Sequence, residues 1–246
     1  MRAFLFFGLI AVSAPASAGT RAIYDHREEN RAISFEIDDQ RNFRAGDEFQ
    51  YRIVQGPEVY QVAIVDGRPY VARIEDLADA LRETTPGLVR TAARMFTFVG
   101  ADELKRWEKR GKKKVNGFRG REYVEVDEYR SFEEDFDPME EMDATRVVLS
   151  DDPELEPLGD AMLHYTADEL YLKRFLLART AVDEVLRSLD GLARLGTGIG
   201  SSEGDIRLVS VAAADIDPAR LSIPATPMTR DEIVGLIRAR RNPFRF

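Results

Sequence analysis

Apolar and polar residues alternate through most of the stretch from Ile23 to Ile74. Ile33, Phe35 and Ile37 are interleaved with Ser34 and Glu36, and Phe49, Tyr51 and Ile53 with Gln50 and Arg52. Tyr60, Val62 and Ile64 lead into Asp66-Gly67, and Tyr70, Ala72 and Ile74 follow. A period of two puts one apolar face on each strand. Asp-Gly between apolar runs favours a tight hairpin turn, because both central positions take positive φ. The segment therefore predicts a meander of short antiparallel strands. The period then changes. Leu77, Ala80 and Leu81 share a helical face over 75–83, and Thr85-Pro86 opens a second helix. Asp102 is expected to cap a third helix carrying Leu104 and Trp107.

Beyond Lys112 the alternation returns, with strands at Val115 and Tyr123–Val126 around the Gly117 and Gly120 turns, and at Arg146–Leu149. Thr166-Ala-Asp-Glu169 has the spacing of a capping box. It predicts one long helix, with Tyr171, Phe175, Ala178, Val182, Val185, Leu189 and Leu192 at steps of four and three. Gly196–Gly204 reads as a connector, Ile206–Val211 as a strand and Leu221–Ile223 as a last strand ending at Pro224. Thr229-Arg-Asp-Glu232 is a second capping box, and Ile233, Leu236 and Ile237 give the final helix its apolar side. Strands do not alternate regularly with helices. The expected class is α+β, a mostly antiparallel sheet with helices on one face.

The N-terminus adds a destination. Met1-Arg2, an apolar Ala3–Val12 and the small residues Ala16-Ser17-Ala18 form a signal-peptide pattern with a cut after Ala18. This assigns 1–18 to a signal peptide and 19–246 to one domain in the periplasm. The chain has no cysteine, which excludes thiol catalysis and disulfide stabilisation. A formal net charge of -9 argues against nucleic acid as a partner.

Candidate chemistry is sparse. The glycines of 196–204 follow a helix and precede a strand, the reverse of a phosphate loop. Lys105–Lys114 is dense in cations. Lys112, Lys113 and Lys114 are candidates for contact with an anionic surface, against the simpler readings of a solvated run or one balanced by the acidic stretch Glu133–Asp143. That stretch lacks the register of a helical calcium loop. The two histidines, His26 and His164, have no nucleophile elbow beside them. No cofactor or metal is expected.

The exported, cysteine-free chain carries its meander, then covering helices, then a Val115-Asn-Gly-Phe-Arg-Gly-Arg-Glu-Tyr123 hairpin. After the long helix come Asp205-Ile-Arg-Leu-Val-Ser-Val211 and Leu221-Ser-Ile-Pro224. In this order the chain resembles the periplasmic half-barrel proteins, among them the carriers that ferry lipoproteins between membranes. The resemblance implies a curved antiparallel sheet, helices packed on its concave face and an apolar groove for acyl chains. Alternation then nominates Phe35, Phe49, Tyr51, Val62 and Tyr70 as groove residues. The function expected is non-enzymatic carriage of a lipid or acyl chain. The alternatives are an envelope scaffold that meets a protein partner or membrane surface, and a periplasmic hydrolase.

Overall fold

The computed structural model describes residues 18–28, 30–99, 105–127, 145–177, 179–202 and 205–244. Eleven strands form one open sheet. They are β1 (Ala18–His26), β2 (Arg31–Ile37), β3 (Phe43–Gly46), β4 (Gln50–Gln55), β5 (Glu58–Val65), β6 (Arg68–Arg73), β7 (Lys105–Val115), β8 (Phe118–Asp127), β9 (Arg146–Ser150), β10 (Thr197–Ser201) and β11 (Ile206–Asp215). Their order is β6-β5-β4-β3-β2-β1-β11-β10-β9-β8-β7, and every neighbouring pair is antiparallel. The first six strands step outward to one edge. The chain then crosses to the far edge at β7 and returns inward until β11 pairs with β1.

Two hairpins follow from their turn residues. Asp66 and Gly67 have φ of 53° and 73°, and Asn116 and Gly117 have φ of 45° and 97°, as a two-residue turn between twisted strands requires. At the tip of the β7–β8 hairpin, Asn116 Nδ2 donates to the Leu208 carbonyl of β11 at 2.8 Å. A flat sheet would hold β7 and β11 about 19 Å apart, so this end of the sheet curls.

Six helices lie among the described residues: α1 (Ile74–Thr84), α2 (Gly87–Val99), α3 (Glu156–Lys173), α4 (Arg179–Ala193), α5 (Pro218–Leu221) and α6 (Arg230–Arg238). None is long and apolar enough to cross a membrane. Helix α3 lies on the face that carries Tyr24, Phe35, Ile37 and Phe43, where Leu155, Leu158 and Ala161 complete a buried cluster. At the other end of α3, Leu172 joins Leu77 and Ala80 of α1 and Ile233 and Val234 of α6.

The opposite face of the β3–β6 region is also buried. Tyr51, Ile53, Tyr60, Val62 and Val71 pack there with Ile223 and Ala225. The C-terminal segment crosses this face and rounds the sheet edge, where the Met228 N–H donates to the Val71 carbonyl at 2.8 Å. This contact covers the edge strand β6, which would otherwise offer unpaired backbone groups.

Several sequence expectations are corrected here. The long helix is two, α3 and α4. The Leu176 and Leu177 amides bond back to Lys173 and Arg174, and these three-residue bonds tighten the chain at a break that no Gly or Pro marks. Thr166 is inside α3 rather than at its start, and its hydroxyl donates to the Met162 carbonyl at 2.9 Å. Trp107 belongs to β7, and Gly120 lies within β8. The connector over 196–204 contains strand β10, and Leu221 ends helix α5 instead of opening a strand. The second capping box is present, with Thr229 and Glu232 satisfying each other's backbone donors at the start of α6. Met1–Ser17, Asp102, Leu104, Glu133–Asp143 and Gly204 lie outside the described residues.

The strand face opposite α3 holds one buried carboxylate, Glu36, only 2% exposed. Arg21 approaches it at 2.9 Å, Arg220 of α5 at 2.6 Å and Arg44 at 3.6 Å. On the α3 face, Arg52 is buried and ion-pairs with Glu169. It also donates to Gln61 Oε1 at 3.0 Å and to the Tyr165 carbonyl at 2.6 Å. Phe49, by contrast, sits in the β3–β4 turn and is 63% exposed. Arg52→Ala is expected to cost about 3 kcal/mol, because it leaves partly buried Glu169 with Lys173 alone and takes the donor from two acceptors. Phe49→Ala is expected to cost less than about 0.5 kcal/mol. Urea unfolding of the two variants measures both.

Candidate ligand-binding site

A cavity of about 500 Å³ lies where α3 and α4 face strands β9–β11. Tyr24, Val147, Leu149, Met162, Leu163, Leu189, Leu192 and Ile206 give it an apolar wall. The glycines of β10 form part of its floor. Gly198 leaves room because it carries no side chain, and an added Cβ there would meet only Met162 Cε, at 3.4 Å. Gly159 of α3 is required for a different reason: a Cβ would come within 2.6 Å of Thr197 Oγ1, so its absence lets helix and sheet approach.

Tyr24 anchors one wall. Its hydroxyl donates to the Gly198 carbonyl at 2.6 Å and lies 2.9 Å from Met162 Sδ. Burial pushes the phenol far above its ordinary range, so it stays neutral. Thr197 Oγ1 donates to the Leu155 carbonyl at 3.0 Å. The interior polar groups named here are thus internally satisfied, and the space beside them is apolar. One rim is acidic, with Asp151, Asp152, Glu156 and Asp160. Arg41 ion-pairs with Glu156 at 3.4 Å and with Asp160, and Asp152 accepts from the Glu154 amide at 3.0 Å.

A second cleft of about 540 Å³ adjoins the first and shares Leu149 and Asp151 with it. It is lined by Lys112, Lys113, Lys114, Arg119, Arg121, Tyr123 and Leu195. The β7–β8 register sets Lys112 opposite Arg121 and Lys114 opposite Arg119, and Arg121 opposite Leu149 of β9. These side chains therefore share one face. Lys113 points the other way by alternation, and it pairs with Glu122 at 3.3 Å.

The five nominated groove residues are not brought together. Phe35 and Tyr70 lie on the α3 face, Tyr51 and Val62 on the opposite one, and Phe49 is in an exposed turn. Alternation within each strand holds, but both faces of β3–β6 are buried, so apolar character there does not identify a side. None of the five lines either cavity. The residues that do were missed because β10 reads as a glycine-rich connector. The signal that could have revealed it is the spacing of Gly196, Gly198 and Gly200, which is strand periodicity.

His26 lies on β1 opposite Ile206, and His164 is on the exposed side of α3. Among the described residues, no three His, Asp or Glu side chains converge as metal ligands. Comparison with protein-family models, with curated proteins and with solved structures finds no match to this chain.

One carboxylate on α3 is perturbed. Burial pushes Asp168 up to about 6, against an ordinary 3.8, while Arg52 and His164 pull it down. Its Oδ2 is buried without a hydrogen-bond partner. For neighbouring Glu169, burial acts upward, yet Arg52 and Lys173 outweigh it and hold that group below its ordinary value. Asp168 does not line the cavity.

Because Asp168 binds its proton more tightly when folded, its contribution to stability falls as pH rises from about 4 to about 6 and is level above. Asp168→Asn is expected to abolish that fall. The gap in Tm between variant and wild type should widen in the variant's favour between pH 4 and pH 6, as followed by thermal melts.

Proposed function

We propose that this is an exported, non-enzymatic binding protein that carries a lipid or acyl chain in the cavity beneath α3 and α4. The observation that carries the reading is an apolar cavity of about 500 Å³ beside the buried apolar clusters. Its size falls within the range of about 300–1,000 Å³ typical of small-molecule sites. The signal-peptide pattern supports a periplasmic setting, and the order of elements supports kinship with half-barrel carriers. The concave side of the half-barrel would be the face that α3 covers. The perturbed carboxylate that would favour a hydrolase, Asp168, does not line this space.

A scaffold role has one observation of its own. Leu88 of α2 is 84% exposed, and Val89, Val185 and Leu186 are also exposed on α2 and α4. Such apolar exposure suits a protein partner.

Affinity for saturated fatty acids is expected to rise about fourfold per added methylene until the cavity is full, the increment for burying one CH₂. Gly198→Leu projects a side chain into the floor and should weaken the longest binders most. Tyr51→Trp, on the opposite face of the sheet, should leave them unchanged. Calorimetric titration across a chain-length series measures all three. Affinity independent of chain length would favour the scaffold reading.

A further inference from the structure

Resting on that reading, we propose that the ligand is a single-chain lipid with a negatively charged head. The acyl chain occupies the apolar cavity, and the head lies in the adjoining cleft between Lys112, Lys114, Arg119 and Arg121. The first argument is continuity. Leu149 and Asp151 belong to both spaces, and Leu149 stands directly opposite Arg121 across β8 and β9. An extended molecule leaving the cavity past Leu149 reaches the cations within one strand spacing. Tyr123 and Leu195 add apolar surface to the lining of the cleft.

The second argument is electrostatic. Lys112 faces Arg121 directly, and Lys114 faces Arg119. Like charges directly opposed across strands destabilise a sheet. Elsewhere the molecule matches its arginines to carboxylates: three around Glu36, and one each at Glu58, Glu169 and Asp190. Among the described residues these four cations have no such partner, and Asp151 is the only carboxylate lining the cleft. Four cations beside an apolar cavity are complementary to an anionic head on an apolar chain. Guanidinium groups suit a carboxylate or a phosphate alike. Lys112, Lys114 and Arg119 are exposed, as a membrane contact would also need; what favours a single bound head is that the four cations line a cleft adjoining the cavity.

The test compares hexadecanoate with hexadecanol, which has the same chain and no charge, by calorimetry on the mature protein below the micellar concentration. The wild type is expected to bind hexadecanoate at least about tenfold more tightly, the scale of a charge-assisted hydrogen bond. In Lys112→Gln/Arg121→Gln that preference should shrink to less than about threefold, with hexadecanol affinity unchanged; the latter also reports that the variant is folded. Palmitoyl lysophosphatidate, run alongside, decides whether the head is a phosphate or a carboxylate, and tighter binding of either anion over hexadecanol supports the proposal. Equal binding of hexadecanoate and hexadecanol by the wild type would overturn the head-group site while leaving the acyl cavity standing. Binding of neither would overturn both. Loss of binding to anionic vesicles in the variant, with hexadecanoate affinity untouched, would reassign the cations to a membrane surface.

Discussion

Arg52 is the side chain on which the arrangement turns. It is a permanent cation placed on the helix-facing side of a central strand, where burial without partners would be prohibitive. Its partners come from two directions: Gln61 across β5, and both the Tyr165 carbonyl and Glu169 on α3. Its guanidinium also stacks over the Tyr165 ring, 4.5 Å from the centroid. Apolar packing is non-directional and would let α3 slide along the sheet. The hydrogen-bonding geometry around Arg52 fixes one register. With that register set, the N-terminal half of α3 reaches the cavity over β9–β11, and its C-terminal half meets α1 and α6.

The opposite face follows the same logic with reversed charge. Glu36 is the buried group there, and arginines from β1, β3 and α5 surround it. Arg220 brings the C-terminal segment onto this face, and Gln55 Nε2 holds it by donating to the Leu221 carbonyl at 2.8 Å. The chain then rounds β6, and Arg230 and Arg238 of α6 meet Glu83 of α1. The tail thus buries both faces and one edge of the meander. The space lies at the other end of the sheet, between α3, α4 and strands β9–β11.

Local rules carried much of this architecture in the sequence. Asp66-Gly67, Asn116-Gly117 and the Thr229–Glu232 box each act over a few residues, and each is where it was expected. Rules that need a tertiary partner did less well. The stripe from Tyr171 to Leu192 is continuous in sequence although α4 leaves Val185 and Leu186 exposed, so period alone conceals the turn at 174–177. Phe49 follows the alternation of β4 yet lies beyond the strand, exposed in a turn. Tyr51 and Val62 face away from Phe35 and Tyr70, and only knowledge of what covers each face separates them. Glycines in β10 lower its strand propensity, and the same glycines open the cavity. The site was therefore least legible where the side chains are smallest. The basic run was visible at once, but its meaning depends on cross-strand register.

These features join in one picture: a pinned helix, a second helix beside it, and a glycine-floored cavity that adjoins a cationic cleft. Trp107, the single tryptophan of the chain, provides an internal reporter. Its Nε1 donates to Ser188 Oγ on α4 at 3.0 Å, next to Leu189 on the cavity wall. The most direct measurement is quenching of Trp107 fluorescence by an acyl chain carrying bromine at mid-chain, a contact-range quencher. An acyl chain beneath α3 and α4 should give saturable quenching that reaches its plateau at one equivalent. Binding of the same chain by calorimetry without quenching of Trp107 would put the ligand elsewhere and contradict the assignment.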